Sequence, residues 1–188
     1  TFNSICMDEE GAWLGSTGRL YRYEYADEKM SAFTAGDNTT PFGYMDIIRL
    51  DSGKLLCSSL DGIIMIDPET GKINESSLGS SKEVSAAMTD SKGNIWLALY
   101  NNGIEVYDQQ DKLLHSYNTS NSALSNNVVL CFTERDGRIW AGTNGGGINI
   151  IDPEEGRITV LSHVSGNPAS FPAQSIKSLY TDTYGNIW

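Results

Sequence analysis

Long apolar runs, basic clusters, histidine and helical periodicity are all scarce in this 188-residue sequence. No stretch approaches the ~20 apolar residues that a membrane-spanning helix needs. The amino terminus reads Thr-Phe-Asn-Ser, without the basic start and apolar core of a signal peptide. Lys and Arg number 13 against 24 Asp and Glu, a formal net charge of −11. A surface of that sign repels phosphate backbones, and no Lys/Arg cluster offers a local exception. Nucleic acid is therefore not an expected partner.

Cysteine is nearly absent as well. Cys6, Cys57 and Cys131 each lie in an apolar stretch, at spacings that match no metal pattern. They read as buried free thiols, with one disulfide left open if the domain is exported. His115 and His163 have no neighbours at metal-ligand spacing, so neither a metal nor another cofactor is expected. No Gly-x-Ser-x-Gly elbow frames a nucleophile. The carboxylate pairs Glu9-Glu10 and Glu154-Glu155 fall in turns, where solvation accounts for them. Gly145-Gly146-Gly147 lacks the following helix of a phosphate cradle and reads as a hairpin turn. No catalytic residue is expected.

What the sequence does have is a repeat. Asp8-Glu-Glu-Gly11-Ala-Trp13, Asp90-Ser-Lys-Gly93-Asn-Ile-Trp96, Glu134-Arg-Asp-Gly137-Arg-Ile-Trp140 and Asp182-Thr-Tyr-Gly185-Asn-Ile-Trp188 are versions of one segment. A degenerate copy, Asp51-Ser-Gly53-Lys-Leu-Leu56, carries Leu in the Trp position. The interval of ~40–50 residues matches a four-stranded propeller blade. In each unit a short apolar strand comes first, at 4–7, 46–50, 84–89, 128–133 and 176–181. An acidic residue and then Gly follow; Gly11, Gly93, Gly137 and Gly185 are read as supplying the positive φ of a tight turn.

The second strand holds Trp13, Trp96, Trp140 or Trp188 and is apolar nearly throughout, which means that both faces are covered. Asp61-Gly62, Asn102-Gly103 and Asn144-Gly145 mark the next hairpin. A third strand alternates apolar and polar residues. Asp-Pro-Glu turns at 67–69 and 152–154 lead into a polar fourth strand. Stretches 34–42, 118–126 and 162–173 read as loops between blades.

A lone blade exposes two apolar faces and must stack on neighbours, so the Trp residues are expected between blades. Small residues nearby (Gly15, Ala98, Ala141, Gly142) let sheets approach closely. The fold class expected is all-β, as four-stranded antiparallel propeller blades. Approximate repeats run over 1–43, 44–83, 84–126 and 127–173, with a partial one at 174–188, in a single domain over 1–188. Since the last repeat stops inside its second strand, the chain is expected to be an incomplete fragment of a larger propeller. A closed four-bladed ring and pairing of two fragments through open ends are the alternatives.

The pattern Asp-x-x-Gly-Asn-Ile-Trp, followed by Asn144-Gly-Gly-Gly-Ile-Asn-Ile-Ile-Asp152-Pro153, resembles the two-component-regulator propeller repeat. Residues 134–153 match it best and 90–108 follow it well. The first copy has a shorter turn, and the second has lost its Trp. The resemblance implies the periplasmic sensor part of a hybrid two-component regulator, often built of seven-bladed propellers. It further implies oligosaccharide input and output through a histidine kinase of the same parent chain. Pairing as a homodimer belongs to the same picture, with no direct membrane contact by this part.

Ligand sites of propellers gather at loops around the channel mouth. Tyr44, Tyr100, Asn101, Asn102 and Asn144 are the candidate sugar contacts, because a sugar ring has apolar faces and polar rims. A protein-interaction scaffold and a propeller lyase or glycosidase remain the alternative functions.

Overall fold

Alternating patterns and Gly-marked turns dictate strands, and the computed structural model has strands throughout. It describes residues 2–16, 19–33, 44–59, 62–76, 78–79 and 83–188, with backbone alone at 44, 45, 59 and 75. The predicted loop at 34–42 and Asp61 lie outside the described residues. Four sheets of four strands form, and no helix occurs among the described residues.

The first sheet holds β1 (Phe2–Met7), β2 (Gly11–Ser16), β3 (Arg19–Glu24) and β4 (Lys29–Phe33). The second holds β5 (Tyr44–Arg49), β6 (Leu55–Ser59), β7 (Gly62–Ile66) and β8 (Ile73–Glu75). The third holds β9 (Val84–Thr89), β10 (Ile95–Leu99), β11 (Gly103–Tyr107) and β12 (Leu113–Tyr117). The fourth holds β13 (Val129–Arg135), β14 (Arg138–Thr143), β15 (Ile148–Asp152) and β16 (Arg157–Leu161). Each is a meander whose neighbours follow chain order. The chain divides into two compact units, Thr1–Val84 and Ser85–Trp188.

Both units pack by one rule. In the first, Trp13 shares a face with Cys6 and Arg22. That face meets Ile47, Leu55, Cys57, Ile64 and Ile66 of the second sheet. In the second unit, Trp96, Ala98, Ile104 and Val106 meet Ile139, Ala141 and Ile151 of the fourth sheet. The Trp face of one blade thus covers the opposite face of the next, and fully buried Ala98 and Ala141 leave room for the approach. Apolar area removed from water on both sides of each contact supplies the main stabilising term, ~25 cal/mol per Å². All three cysteines are free thiols, and burial pushes Cys131 up to about 11 and Cys57 higher still.

The four Trp residues differ in exposure. Trp13 and Trp96 are buried, but Trp140 is half-buried and Trp188 is 74% exposed. The segment after 174 lies against the Trp140 face, through contacts such as the hydroxyl pair Thr133–Thr181 at 2.8 Å. The strand predicted at 176–181 is likewise reduced to single bridges, Asn144 with Ser175 and Thr181 with Ile187. A continuous ladder needs several consecutive partners; beside these bridges the segment makes the reciprocal bonds of Tyr180 with Trp188 and the bond from Asp182 N to Asn186 O.

The repeated turn is more than a turn. Asp90 Oδ1 accepts the backbone N–H groups of Lys92 and Asn94, while Oδ2 accepts Asn94 Nδ2 and, at 2.9 Å, the indole Nε1 of Trp96. Asp182 repeats the set with Tyr184, Asn186 and Trp188. The side chains of Asn186 and then Trp188 hold its carboxyl at about 2. One acidic residue therefore closes the hairpin and aims the Trp ring. In the copy without Trp, the same backbone bonds run Leu50–Lys54 and Gly53–Leu50. Leu50, and not the Asp51 of the sequence reading, occupies the acceptor position there, so acceptor and indole are lost together.

Glu134 departs further from the sequence reading. The turn between β13 and β14 is one residue shorter, pairing Arg135 with Arg138 and Glu134 with Ile139. A one-residue change in the turn sends a strand residue to the opposite face. Glu134 consequently turns away from Trp140 and accepts the backbone N–H and hydroxyl of Ser91 in the neighbouring blade. Arg49 holds the same position in β5, opposite Leu55, and reaches Asp8 of the neighbouring blade at 3.0 Å. Gly93, Gly137 and Gly185 have the expected positive φ (80°, 72° and 79°). Gly11 does not. It opens β2, where a methyl group would overlap the carbonyl oxygen of Tyr23.

Asp8 gives the first unit a testable acid limb. Arg22 grips it with both terminal nitrogens (2.8 and 2.9 Å) while its guanidinium lies 5.1 Å over the Trp13 ring. That bond chiefly holds the Asp8 carboxyl at about 2. A carboxyl depressed by folding contributes fully above its unfolded value near 4, and the contribution disappears as pH falls through 2. Asp8→Asn is expected to lower stability by about 1–2 kcal/mol at pH 5 and by only a small fraction of that near pH 2. Urea midpoints of both proteins at the two pH values check this; a constant gap would refute it.

Candidate functional site

The strand meander sends alternate loops to opposite ends of each blade. In the second unit the hairpins at 99–103 and 143–147 share an end with the connector 118–128 and the segment 162–175. Hydrogen bonds join these four into one surface. Gly103 N donates to Asn127 O (3.0 Å), and Asn144 N donates to Val128 O (2.9 Å). Gly145 N and Gly147 N both donate to Gln174 O. Asn126 Nδ2 donates to Asn144 O at 2.8 Å, and Ser175 Oγ donates to Asn144 Oδ1 at 3.1 Å.

Local sequence explains the geometry. Thr143 Oγ1 donates to Gly147 O and accepts Gly146 N, which closes the turn from inside. Ser125 Oγ donates to Gly146 O so closely that a side chain at Gly146 would strike it. Asn149 anchors Ser125 in turn, accepting its backbone N–H (2.9 Å) and donating to its hydroxyl (2.7 Å). The triple glycine is thus a hairpin pressed against its neighbours, as the absence of a following helix predicts.

Of the candidate contacts, Tyr100, Asn101 and Asn102 share the hairpin at 99–103, and Asn144 lies on the hairpin of the neighbouring blade, linked to the first through the connector 118–128. Tyr100 is 48% exposed, and Asn101 takes a left-handed φ of 57°, which lifts the two asparagines outward at the hairpin tip. Asn101, Asn102 and Asn144 are exposed. Tyr44 opens β5 in the other unit, and its side chain lies outside the described residues.

Sequence reasoning missed Asn149, which strand alternation would place in water and which is fully buried. The available signal was an amide flanked by Ile148 and Ile150 in the copy whose preceding loop is richest in Ser and Asn.

Charge is distributed unevenly in this unit. Segments 100–103, 118–128, 143–147 and 162–175 contain no Asp, Glu, Lys or Arg, and His163 is their one histidine. The turns at the other strand ends carry ion pairs such as Lys92–Glu154 at 2.8 Å. The loop surface can donate and accept neutral hydrogen bonds and offer an aromatic ring. Among the described residues no group of three or more His, Cys, Asp or Glu could hold a metal ion. No helix long and apolar enough to cross a membrane occurs among them either.

In sequence, residues 123–145 match the family described as two component regulator propeller. That segment runs from the connector through β13 and β14 to the hairpin bearing Asn144. No curated protein matches the chain. Among solved structures it is similar to the extracellular domain of a hybrid two component system from B. thetaiotaomicron. That match has a TM-score of 0.80 and 18% identity, and it covers 100% of this chain and 25% of the other. A second such domain from the same organism gives 0.78 and 19%, covering 100% and 27%. Virginiamycin B lyase from Staphylococcus aureus gives 0.74 and 19%, covering 100% and 62%. The chain therefore spans about a quarter of the length of the extracellular domains it resembles. At these identities the likeness establishes the fold, and with the matched repeat it makes the chain an array of β-propeller blades bearing a two component regulator propeller repeat.

Proposed function

We propose that this chain is part of the extracytoplasmic sensor region of a hybrid two-component regulator, located in the periplasm. Its ligand is an oligosaccharide taken up by the loop surface of the second unit. Binding alters how propellers pair in a dimer and so reaches a histidine kinase elsewhere in the parent chain. The observation that carries the reading is the regulator repeat at 123–145, whose last hairpin bears the exposed Asn144 on the same hydrogen-bonded loop surface as the exposed Tyr100. An apolar ring next to amides suits a sugar, which is apolar on its ring faces and polar at its rim.

The test is a thermal-shift screen of the chain against a broad oligosaccharide panel. At least one sugar is expected to raise the melting temperature, because a ligand that binds only the folded state stabilises it. A blank screen would remove the oligosaccharide part. The likeness to virginiamycin B lyase favours a second reading, a propeller enzyme. Turnover of virginiamycin B or a glycan by this chain would establish that reading instead, and a stable protein partner without any small ligand would favour a scaffold.

A further inference from the structure

We infer that the ligand of the second unit's loop surface is an uncharged oligosaccharide, free of uronate, sulfate, phosphate and amino groups. The inference rests on the oligosaccharide reading above and narrows it. Its basis is the absence of Asp, Glu, Lys and Arg from segments 100–103, 118–128, 143–147 and 162–175. Hydrogen bonds join all four into one surface.

A charged sugar group taken out of water loses several kcal/mol of hydration unless an opposite charge meets it. For an anionic sugar that partner would be a guanidinium or ammonium group, and these segments supply none. The chain's net charge of −11 adds long-range repulsion. For an amino sugar the partner would be a carboxylate, equally absent there. Of the unit's other charged side chains, Glu134 and Glu154 stand at the opposite strand ends, engaged by Ser91 and Lys92; Glu105 is buried within β11 against the Tyr107 hydroxyl, and Lys177 lies beyond Ser175, outside these four segments.

What the surface does present suits hydroxyl groups. An asparagine amide offers both donors and an acceptor, and a sugar hydroxyl both donates and accepts. Asn101, Asn102 and Asn144 are exposed and provide three such groups. Tyr100 provides a ring for the C–H face of a pyranose.

Calorimetric titration of the chain with size-matched hexasaccharides tests the inference. Cello-, malto- and manno-oligosaccharides form the neutral arm; oligogalacturonate, a sulfated heparin fragment and chitosan oligomers form the charged arm. A neutral sugar is expected to bind at least ~30-fold tighter than any charged one, with little change between low and high salt. Tyr100→Ala and Asn144→Asp are expected to weaken it about tenfold each, the worth of one good contact. Asn102→Lys should raise affinity for galacturonate. Circular dichroism confirms that these exposed substitutions leave the fold intact.

A charged hexasaccharide binding tighter than every neutral one overturns the inference and leaves the oligosaccharide reading standing. Neutral binding that neither Tyr100→Ala nor Asn144→Asp affects overturns it too, by placing the ligand elsewhere. Failure of both arms removes the oligosaccharide reading itself, and the inference with it.

Discussion

Trp96→Ala is expected to lower the chain's stability by about 3–5 kcal/mol, whereas Trp188→Ala changes it by less than about 1 kcal/mol. The two residues close identical sequence motifs, so the contrast comes from packing alone. Trp96 is fully buried, stacks at 6.1 Å on Tyr117, meets Phe132 edge-on at 6.5 Å, and lies among Ile139, Ala141 and Ile151. Truncation leaves a cavity that close-packed sheets cannot collapse into. It also deprives Asp90 of its indole donor. Trp188 keeps the same bond to Asp182 but is 74% exposed, so little area is lost with it.

Trp96→Phe separates the two contributions. It restores most of the ring and leaves Asp90 Oδ2 with the amide of Asn94 alone, at an expected cost of about 1–2 kcal/mol. Urea midpoints followed by far-ultraviolet circular dichroism give all three values. Equal losses at Trp96 and Trp188 would show that the two rings sit in equivalent surroundings.

Gly147→Ala is the second large effect, with Gly137→Ala as its partner. Both glycines have positive φ, 75° and 72°. An alanine in that conformation costs roughly 1–2 kcal/mol from backbone strain. At Gly137 nothing else happens, since nothing lies within 4 Å of an added methyl group. At Gly147 the methyl would overlap the carbonyl oxygen of Leu161, a backbone atom that can move only with β16. A loss above about 3 kcal/mol is expected there, against about 1 kcal/mol at Gly137.

The consequence at Gly147 extends to the loop surface. Gly147 O accepts both Thr143 N and Thr143 Oγ1, and Gly147 N reaches Gln174 O. Displacing it loosens the hairpin that presents Asn144. Under the proposed oligosaccharide reading, affinity should fall with stability in Gly147→Ala and stay unchanged in Gly137→Ala, whose turn lies at the other end of the blade. Comparable melting losses in the two variants would contradict the overlap with Leu161.

Strand periods, hairpin chemistry and the spacing of Trp residues are local properties, and they sufficed for the architecture. Alternation is a backbone rule, and Asn-Gly or Asp-x-x-Gly turns act over a few residues, so no distant contact is needed to read them. The neutrality of four loop segments was equally present in the residues, although it acquired meaning only when hydrogen bonds showed those segments to be one surface.

Tertiary structure decided the rest. Whether Glu134 aims the ring of Trp140 or grips Ser91 depends on a turn one residue shorter, which reverses the face of the strand. That Asn149 is buried follows from Ser125, 24 residues earlier in sequence, arriving above it. That Trp96 is core follows from the fourth sheet lying against it. Sequence determined each blade because its strands and turns are set by neighbours in the chain; packing determined which repeats behave alike, because burial is set by neighbours in space.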